Sequence, residues 1–343
     1  MQSTLTHVRL AGLAVSVGSV VRDFQADGLA AGQDPAQLSR VAKAVGLRER
    51  RVAAAGVTAL DLCADAAARL LDEAAIDASS LDAVIFVTQT PDHAQPNNAS
   101  LLHARLGLSK AAAAYDLSLG CSGWVYGLHQ AAMLCGAGAA RVLVCAGDTL
   151  SRIVDPADPA TAPIFGDAGS AALVEKTGDP AAMHFIFGTD GSGAGAIIVP
   201  AGGSRQPATA GSAACLRMDG AEVFNFSLRE VPPAVAGALK LAGWTPADAD
   251  HLVLHQANRF VISSVARKCG FPEEKTPMDL VERFGNQSSA SIPAALAHAC
   301  GESLQAGRRR LVVCGYGVGF SWGAAAFEAG PTIIAPTLPF PRS

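Results

Sequence analysis

The strongest constraint on the fold is a pattern of helix, polar turn and buried strand that occurs twice in the chain. The segment "TALDLCADAAARLLDEAAI" (58–76) predicts a helix, and "DASSLDAVIFVTQT" (77–90) predicts a polar turn followed by an apolar strand. Much later, "LREVPPAVAGALKLAGW" (228–244) and "TPADADHLVLHQAN" (245–258) repeat that order. Continuous apolar strands are typical of parallel sheets that helices cover on both faces. The chain is therefore predicted to have an α/β fold.

Two further pairs of segments also resemble each other. In the first half, "ARVLVCAGDTLS" (140–151) leads to "FGDAGSAALVE" (165–175), and near the end "RRRLVVCGYGVGF" (308–320) leads to "SWGAAAFE" (321–328). Each pair consists of a buried strand, a glycine-containing loop and a strand of small residues. A repeat of α/β units over so long a period predicts a duplicated fold.

The two copies place a domain boundary near residues 175 to 185. We therefore predict an N-terminal half at residues 1–178 and a C-terminal half at residues 179–343. The chain has 343 residues, of which 50% are hydrophobic. This composition supports a large buried core in a chain of this length.

The charge and hydropathy of the chain exclude several classes of function. With 26 basic and 30 acidic residues the net charge is -4, whereas nucleic-acid-binding proteins normally present a basic face. The segment "AGLAVSVGSVV" (11–21) predicts a strand rather than a signal peptide, and no run of about 20 apolar residues predicts a transmembrane helix. The glycine-rich segment 189–211 lacks both the GxGxxG spacing and the Lys-Ser/Thr of a nucleotide loop, so we expect an ordered surface loop there.

The cysteines bear on metal binding and location. All eight are scattered along the chain without a CxxC pair, which argues against a zinc site or a thioredoxin-like motif. Most lie in apolar segments, where a reduced cysteine packs as a small hydrophobic side chain. We therefore expect no bound metal and a reducing, cytoplasmic location.

Cys121 differs from the other cysteines in its place within "AYDLSLGCSGW" (114–124). The stretch predicts a strand, a tight turn flanked by glycines, and then a helix. A thiol at a helix N-terminus experiences the positive end of the helix dipole, which lowers its pKa and favours thiolate. Cys121 is thus predicted to be a nucleophile on a strand-to-helix elbow. The alternative is a buried structural cysteine.

Three further segments carry groups that suit acyl chemistry. His255 follows the buried strand in "HLVLHQANRF", where loops of α/β folds often carry function. Asn286 lies in the polar turn "RFGNQSSASIP", before a helix predicted to begin near Ser291. The glycines of "GYGVGFSWG" expose backbone N–H groups that can polarise a carbonyl oxygen. The structural alternatives are a core histidine, a turn or cap asparagine and a tight β-turn.

Five segments, taken in order, resemble the β-ketoacyl-acyl carrier protein synthase III family of the thiolase superfamily. They are "DLSLGCSGW", "FGDAGSAAL", "HQAN", "GNQSSASIP" and "GFSWGAA". The resemblance implies a thiolase-like fold of two duplicated α/β halves in five layers, α-β-α-β-α, and a homodimer. It also implies a catalytic triad of Cys121, His255 and Asn286.

The resemblance further implies a reaction. Cys121 takes the acyl group of an acyl thioester on coenzyme A (CoA) or on acyl carrier protein (ACP). A malonyl-ACP then loses CO2, while His255 and Asn286 donate hydrogen bonds to the enolate oxygen. Backbone N–H groups of Cys121 and of the Val318–Gly319 turn hold the oxyanion on the acyl carbon. The product is a β-ketoacyl thioester, and no metal or redox cofactor is required.

Four positions depart from the family's pattern for binding CoA. Arg40 and Ala44 stand where the acetyl-CoA-using members carry a Trp and an Arg, and Pro159 replaces a further Arg. The Arg expected two places after "HQAN" comes one place early, as Arg259. The resemblance therefore leaves open whether the donor is acyl-CoA or a carrier-bound thioester.

Other positions bear on the acyl chain and on the carrier. Gln95 stands where the family often has an aromatic residue that reaches into the partner's acyl pocket, which predicts a donor other than an acetyl starter. Val318 replaces a frequent glycine but keeps the backbone N–H. Arg267 and Lys268 match basic positions that dock the acidic carrier protein in the family.

Three alternatives remain open at this point. One is a thiolase-fold acyltransferase, or a specialised-metabolism ketosynthase that uses a non-acetyl donor without decarboxylation. A second is a papain-like protease, because the 134 positions between Cys121 and His255 match the separation of about 130 to 150 in those enzymes. More than a hundred α/β-patterned residues before Cys121 argue against it. The third is a silent subunit, which would not need a complete triad.

Overall fold

The computed structural model describes residues 1–207 and 215–341. The strands within them are β1 (Gln2–Thr6), β2 (Val8–Gly18), β3 (Val20–Asp23), β4 (Glu49–Val52), β5 (Ala83–Val87), β6 (Ala113–Leu117), β7 (Arg141–Asp148), β8 (Ala168–Lys176), β9 (Ala182–Thr189), β10 (Ile197–Ile198), β11 (Arg217–Met218), β12 (His251–Leu254), β13 (Arg309–Gly317), β14 (Ser321–Ala329), β15 (Ile333–Ile334) and β16 (Leu338–Phe340). The α-helices are α1 (Phe24–Ala30), α2 (Pro35–Val45), α3 (Ala59–Glu73), α4 (Asn98–Leu106), α5 (Gly123–Gly136), α6 (Gly220–Ala242), α7 (Arg259–Lys268), α8 (Leu280–Phe284), α9 (Ser291–Ala299) and α10 (Gly301–Ala306).

Two main β-sheets organise these elements. The first has the strand order β15-β2-β8-β7-β5-β6, and β16 also pairs with β2. In it β5 is parallel to both β6 and β7, whereas β8 is antiparallel to β7 and to β2. The second has the order β1-β9-β14-β13-β12, in which β12 and β13 are parallel. Two small sheets, β3-β4 and β10-β11, lie outside them.

The two main sheets repeat one topology. Numbered one to five in chain order, β2, β5, β6, β7 and β8 lie across the first sheet as 3-2-4-5-1. In the second sheet β9, β12, β13 and β14 follow the same order, and the described residues form no strand in the third position. The terminal strands are exchanged, because β1 lies in the second sheet and β15 and β16 lie in the first. We propose that residues 1–178 and 179–343 are the two copies, which exchange these terminal strands.

Helices complete a five-layer arrangement, α-β-α-β-α. Helices α5 and α9 pack between the sheets, α3 and α4 cover the outer face of the first sheet, and α6 and α7 cover that of the second. Strand β5 shows the principle: Ala83, Ile85 and Val87 face the central layer, whereas Val84 and Phe86 face the outer one. Side chains alternate along a strand, so an unbroken apolar run fills both faces. The predicted α/β five-layer fold is confirmed.

Helix α6 is longer than the sequence pattern indicated. We predicted a helix over 228–244, and α6 runs from Gly220 to Ala242 with Pro232 and Pro233 inside it and Asp219 as its N-cap. Proline normally breaks a helix, because it lacks an N–H and clashes with the preceding turn. Here the apolar face of α6 packs on the second sheet, and this burial outweighs the local cost of the prolines.

Other local expectations can be compared with the structure directly. The predicted N-terminal strand lies in β2 and β3, and the helix expected near Ser291 is α9. In the glycine-rich segment, Gly191–Ala196 form a 3-10 helix, while residues 208–211 lie outside the described part. No helix of the described ranges has the length and hydropathy required to cross a bilayer.

A buried network fastens the C-terminal segment to the first sheet. Arg69 on α3 donates to Asp65 (3.0 Å), to the Ser16 hydroxyl (2.7 Å) and to the carbonyl oxygens of Val15 (2.7 Å) and Pro336 (2.6 Å). Removing one member of a buried ion pair typically costs about 3 kcal/mol. We expect Arg69→Ala to lower the free energy of unfolding by about that amount, measured by urea denaturation.

Arg9→Ala is the matched control for this prediction. Arg9 also pairs with a carboxylate, that of Glu175 (2.8 Å), but its side chain is 52% exposed. Exposed ion pairs contribute less than about 1 kcal/mol. Equal losses of stability in the two variants would contradict a specific role for Arg69 in holding the C-terminal segment.

Candidate active site

Cys121 lies in the turn between β6 and α5, where the sequence placed it. Ser122 is the N-cap of α5. Strand β13 of the second half approaches this turn closely: a Cβ atom at Gly317 would lie 2.9 Å from Cys121 Cβ and 3.1 Å from Sγ. A Cβ atom at Gly315 would lie 2.6 Å from the Cys121 carbonyl oxygen. These two glycines therefore allow the second sheet to reach the cysteine turn.

The backbone strain at the site lies opposite the cysteine. Cys121 is not in the left-handed region, whereas Ser288 has a φ of 49°. Ser288 Oγ lies 3.9 Å from Cys121 Sγ. Ser122 already has right-handed helical angles, so the chain enters α5 directly after Cys121.

His255 follows β12 and is almost fully buried, with an exposed fraction of 2%. Its backbone N–H donates to the Cys314 carbonyl oxygen (2.8 Å), which places the residue beside β13. Its Nδ1 lies 2.7 Å from Ser291 Oγ at the start of α9. The Tyr316 ring meets the imidazole edge to face, with centroids 5.6 Å apart. The imidazole is thus held through Nδ1, and Nε2 is the nitrogen available to a substrate.

Asn286 lies in the loop between α8 and α9. Its backbone is fixed at both ends, because its N–H donates to Ile164 O (2.9 Å) and its carbonyl oxygen accepts from Gly166 N (3.0 Å). The side-chain Oδ1 accepts from the Ser288 N–H (2.9 Å). This bond fixes the orientation of the carboxamide and leaves Nδ2 as a donor.

A single cavity of about 300 Å³ brings these side chains together. Cys121, His255 and Asn286 all line it, although they come from three separate loops and both halves. Much of the remaining wall is apolar and includes Leu150, Ile153, Ile164, Ile197, Leu216, Met218, Val223 and Phe224. A largely apolar cavity with a few convergent polar groups is the usual form of a small-molecule binding or active site.

Burial controls the protonation of both titratable members. It raises the pKa of the Cys121 thiol to about 12; the Ser288 hydroxyl lowers that pKa and the charge of Asp148 raises it further. Burial also lowers the pKa of His255 to about 3. For Cys121 this direction is opposite to the expectation of a thiolate at rest, because desolvation of the sulfur disfavours its charged form. The site holds a neutral thiol and a neutral imidazole.

The reactivity of Cys121 should report this high pKa. Only the thiolate is alkylated, and below its pKa the thiolate fraction grows with pH. We expect the rate of Cys121 alkylation by iodoacetamide to rise about tenfold per pH unit between about pH 7 and pH 9. Peptide-resolved mass spectrometry measures it. A plateau below about pH 8 would show that the thiol is already ionised.

The other residues predicted for substrate binding occupy different places. Val318 lines the cavity, and Gly319 follows it in the same turn with a φ of 71°. Gln95 is exposed in the loop before α4 and does not line the cavity. Arg259 is exposed at the start of α7, where its side chain packs beside Gly46. The roles assigned to these residues remain predictions.

The two residues predicted to dock a carrier protein lie at the end of α7. Arg267 and Lys268 are both exposed. Lys268 Nζ donates to the Leu228 carbonyl oxygen of α6 (2.9 Å), so its charge is held at a defined position. No group of three metal-ligating side chains was found among residues 1–207 and 215–341.

Sequence reasoning missed two residues that touch the triad. Ser288 contacts the Cys121 thiol, and its N–H holds the Asn286 carboxamide. Ser291, predicted only as a helix start, contacts His255. The run of serines in "GNQSSAS" was visible, but serines are common in turns, and only the fold identifies which hydroxyl faces which partner.

Comparison with known proteins adds a second line of observation. Residues 115–191 match the family model 3-oxoacyl-[acyl-carrier-protein] synthase III, and residues 239–329 match the model of its C-terminal part. Together these regions contain Cys121, His255 and Asn286.

Individual relatives match most of the chain. β-Ketoacyl-[acyl-carrier-protein] synthase III 3 of Streptomyces coelicolor is 38% identical over 82% of this chain and 86% of its own. The crystal structure of a 3-oxoacyl-(acyl-carrier protein) synthase from Burkholderia xenovorans is 38% identical, with a TM-score of 0.94 over 99% of both chains. The priming β-ketosynthase of the R1128 polyketide biosynthetic pathway is 27% identical, with a TM-score of 0.86 over 95% of this chain and 97% of its own.

Proposed function

The chain belongs to the 3-oxoacyl-[acyl-carrier-protein] synthase III family, and from this premise we propose how its residues act. It is a condensing acyltransferase of the β-ketoacyl-ACP synthase III type. The observation that carries the proposal is the convergence of a thiol, an imidazole and a carboxamide from both halves on one buried cavity. This function excludes the papain-like alternative.

The first step in our proposal is acylation of Cys121. Because the resting thiol is protonated, it must lose a proton as it attacks the acyl carbon. The neutral His255 imidazole accepts this proton at Nε2. The new C–S bond forms to Sγ, and the original thioester C–S bond breaks. The departing thiolate takes the proton from His255, so the imidazole is neutral again. Before the second step the imidazole changes to its Nε2–H tautomer, in which Nδ1 accepts a hydrogen bond from Ser291 Oγ.

The second step in our proposal joins malonyl-ACP to the acyl group. The malonyl C–C bond breaks, CO2 leaves, and its electron pair forms an enolate. Neutral His255 Nε2–H and Asn286 Nδ2–H donate to the enolate oxygen. The enolate carbon attacks the acyl carbon, the bond to Cys121 breaks, and the β-ketoacyl thioester departs. The Cys121 thiolate is then protonated from solvent. Neutral donors suit this step, since a fixed negative charge would oppose the enolate.

Two backbone amides complete the proposed site. We assign the oxyanion on the acyl carbon to the N–H groups of Cys121 and of the Val318–Gly319 turn. Support comes from the position of Val318 on the cavity wall and from the close approach of Gly317 to Cys121 Sγ. Every bond change in this proposal is accounted for by protein groups, the two thioesters and a proton from solvent, so the proposed reaction requires no metal or redox cofactor.

We further propose a homodimer and a cytoplasmic location. Among the described residues, strand β6 forms one edge of the first sheet, and its half-buried residues suit pairing with β6 of a second copy. That pairing would leave Gln95, in the exposed loop before α4, to contact the partner's acyl pocket. All eight cysteines are free thiols, which suits a reducing compartment. The partners are then ACP and acyl thioesters, with neither nucleic acid nor membrane.

The decarboxylative step separates this proposal from its alternative, a thiolase-fold acyltransferase or specialised ketosynthase without decarboxylation. The structural similarity to the R1128 priming ketosynthase supports the use of a specialised acyl donor. The test incubates the protein with labelled acyl-CoA or acyl-ACP, with and without malonyl-ACP. We expect acyl-Cys121 in both arms, and CO2 and β-ketoacyl-ACP only with malonyl-ACP. Transfer of the acyl group without CO2 release would favour the alternative.

The same experiment compares donors. An acyl-CoA and an acyl-ACP that carry the same acyl chain are compared, and the faster rate shows which donor loads Cys121 more readily. If the exposed cations Arg267 and Lys268 dock ACP, Arg267→Glu should slow loading from acyl-ACP and leave loading from acyl-CoA within about twofold, since rim charges act mainly on the association rate. Equal slowing with both donors would contradict the docking assignment.

A further inference from the structure

Asp148, the last residue of β7, is a buried carboxylate beside the active site. Its oxygens accept five hydrogen bonds, from Thr88 Oγ1 (3.1 Å), Gln89 N (2.8 Å), Thr90 Oγ1 (3.3 Å), Ser289 N (3.3 Å) and Ser289 Oγ (2.7 Å). Its exposed fraction is 0%, and none of the five donors carries a charge. Neutral N–H and O–H groups therefore solvate this carboxylate.

Such an arrangement costs free energy unless every donor stays in place. A buried charge is tolerated only when hydrogen bonds replace the water it has lost. Bonds to an ionised acceptor are shorter and roughly twice as strong as neutral ones. A carboxylate at this position therefore holds the surrounding segments more firmly than a neutral side chain of the same size.

The donors come from both sides of the catalytic cysteine. Thr88, Gln89 and Thr90 follow β5 of the first half, and the Gln89 side chain lies against Gly120, where a Cβ atom would be 2.5 Å from Oε1. Gly120 directly precedes Cys121. Asp148 is thus linked, through Gln89, to the segment that carries the nucleophile.

Ser289 comes from the second half and belongs to the catalytic loop that faces the nucleophile. The preceding Ser288 has a left-handed φ of 49°, which costs free energy for a residue other than glycine. Its N–H holds Asn286 Oδ1, and its hydroxyl contacts Cys121 Sγ. A shift at Ser289 would therefore move the carboxamide and the hydroxyl together.

We propose that Asp148 is a positioning residue that sets the Asn286–Ser289 loop against the Cys121 turn. It does so by binding Ser289 from one half and the Thr88–Thr90 segment from the other. The carboxylate itself does not touch substrate. The inference rests on the proposed function only in naming the reaction that a displaced loop would slow.

The test uses a matched pair of variants, because Asp148 itself is too central for a replacement that is certain to fold. Ser289→Ala and Thr88→Val each remove one hydroxyl donor to the same carboxylate. After Thr88→Val the Gln89 N–H (2.8 Å) and the Thr90 hydroxyl (3.3 Å) still bind Asp148 from the first half, whereas after Ser289→Ala only the Ser289 N–H (3.3 Å) binds it from the catalytic loop. Misplacing a catalytic group slightly can cost as much as 10²-fold in rate. We expect Ser289→Ala to lower kcat for CO2 release about tenfold or more, with KM for malonyl-ACP within about twofold, and Thr88→Val to lower kcat less than about threefold.

Two measurements separate positioning from a general loss of stability. Thermal melting should show at least as large a shift for Thr88→Val as for Ser289→Ala, since Thr88→Val removes its bond to Asp148 and also the acceptor of the Thr90 N–H (3.0 Å). If the loss of kcat were in the same proportion to the loss of melting temperature in both variants, the proposal would be overturned. Normal kcat in Ser289→Ala would overturn it as well.

A third measurement does not depend on the proposed reaction. Alkylation of Cys121 by iodoacetamide needs no substrate, and it senses the Ser288 hydroxyl beside the thiol. We expect Ser289→Ala to change the alkylation rate at least about threefold and Thr88→Val to leave it within about twofold. Equal rates in both variants would contradict the positioning role. If no condensation occurred in the unaltered protein, the proposed function would fail while this comparison still tested Asp148.

Discussion

Replacing Cys121 with alanine is expected to abolish covalent loading of the protein by acyl thioesters. The reason is that Sγ forms the bond to the acyl carbon in our proposal, and no other residue can replace a nucleophile in a covalent step. Intact-protein mass spectrometry after incubation with a panel of acyl thioesters measures the added mass. Condensation should fall by about 10⁴-fold or more.

A cysteine on the helix that follows Cys121 provides the control. Cys135 on α5 is also buried, its Sγ donates to the Val174 carbonyl oxygen (3.7 Å), and burial raises its pKa to about 11. It does not line the cavity. Cys135→Ala should therefore keep full acyl loading. If Cys121→Ala still gained the acyl mass, the nucleophile would lie elsewhere and the mechanism would be wrong.

Replacing Asn286 is expected to separate the two half-reactions. Its Nδ2 donates to the enolate oxygen in our proposal, and that negative charge develops only during decarboxylation. Loss of one such donor typically costs about 10²- to 10³-fold in kcat. We therefore expect Asn286→Ala to slow CO2 release from malonyl-ACP by about that factor, while acylation of Cys121 stays within about threefold.

Asn286→Asp tests the same role with less disturbance of the loop. An aspartate keeps an oxygen that can accept from the Ser288 N–H, as Oδ1 does now, but it replaces the Nδ2 donor with an acceptor. A donor role predicts that both variants lose decarboxylation and keep acylation. If acylation fell as far as decarboxylation in both, our division of roles between the residues would be incorrect.

In our proposal, acylation of Cys121 requires His255 to carry a proton. Burial keeps the imidazole neutral and the Cys121 thiol protonated, so the pair does not exist as a preformed ion pair. Deprotonation then accompanies attack on the acyl carbon. This arrangement limits reaction of the resting thiol with other electrophiles, because only the thiolate is strongly nucleophilic.

Much of the fold could be predicted because it depends on local patterns. Unbroken apolar runs such as β5 indicate strands that are buried on both faces, and the repeated order of elements indicated two copies. The exchange of β1 and β15 between sheets could not be predicted, because two- to five-residue strands have little pattern of their own. Helix α6 also exceeded its prediction, since tertiary packing outweighed Pro232 and Pro233.

The candidate site was predictable to a similar extent. Cys121, His255 and Asn286 were identified from the motifs around them, and the structure places all three on one cavity. Ser288 and Asp148 were not identified. Their importance comes from contacts with residues far away in the chain, such as the bond between Asp148 and Ser289, which lie 141 positions apart.

The amino-acid sequence alone determined the order of strands and helices and the residue types available for acyl chemistry, because hydrophobic periodicity and turn composition act over short distances. Only the tertiary structure decided the protonation of the thiol and the imidazole. Those pKa values depend on how completely distant segments exclude water from Sγ and Nε2, and no local motif contains that information. The tertiary structure likewise decided which hydroxyls and which carboxylate fix the catalytic loop.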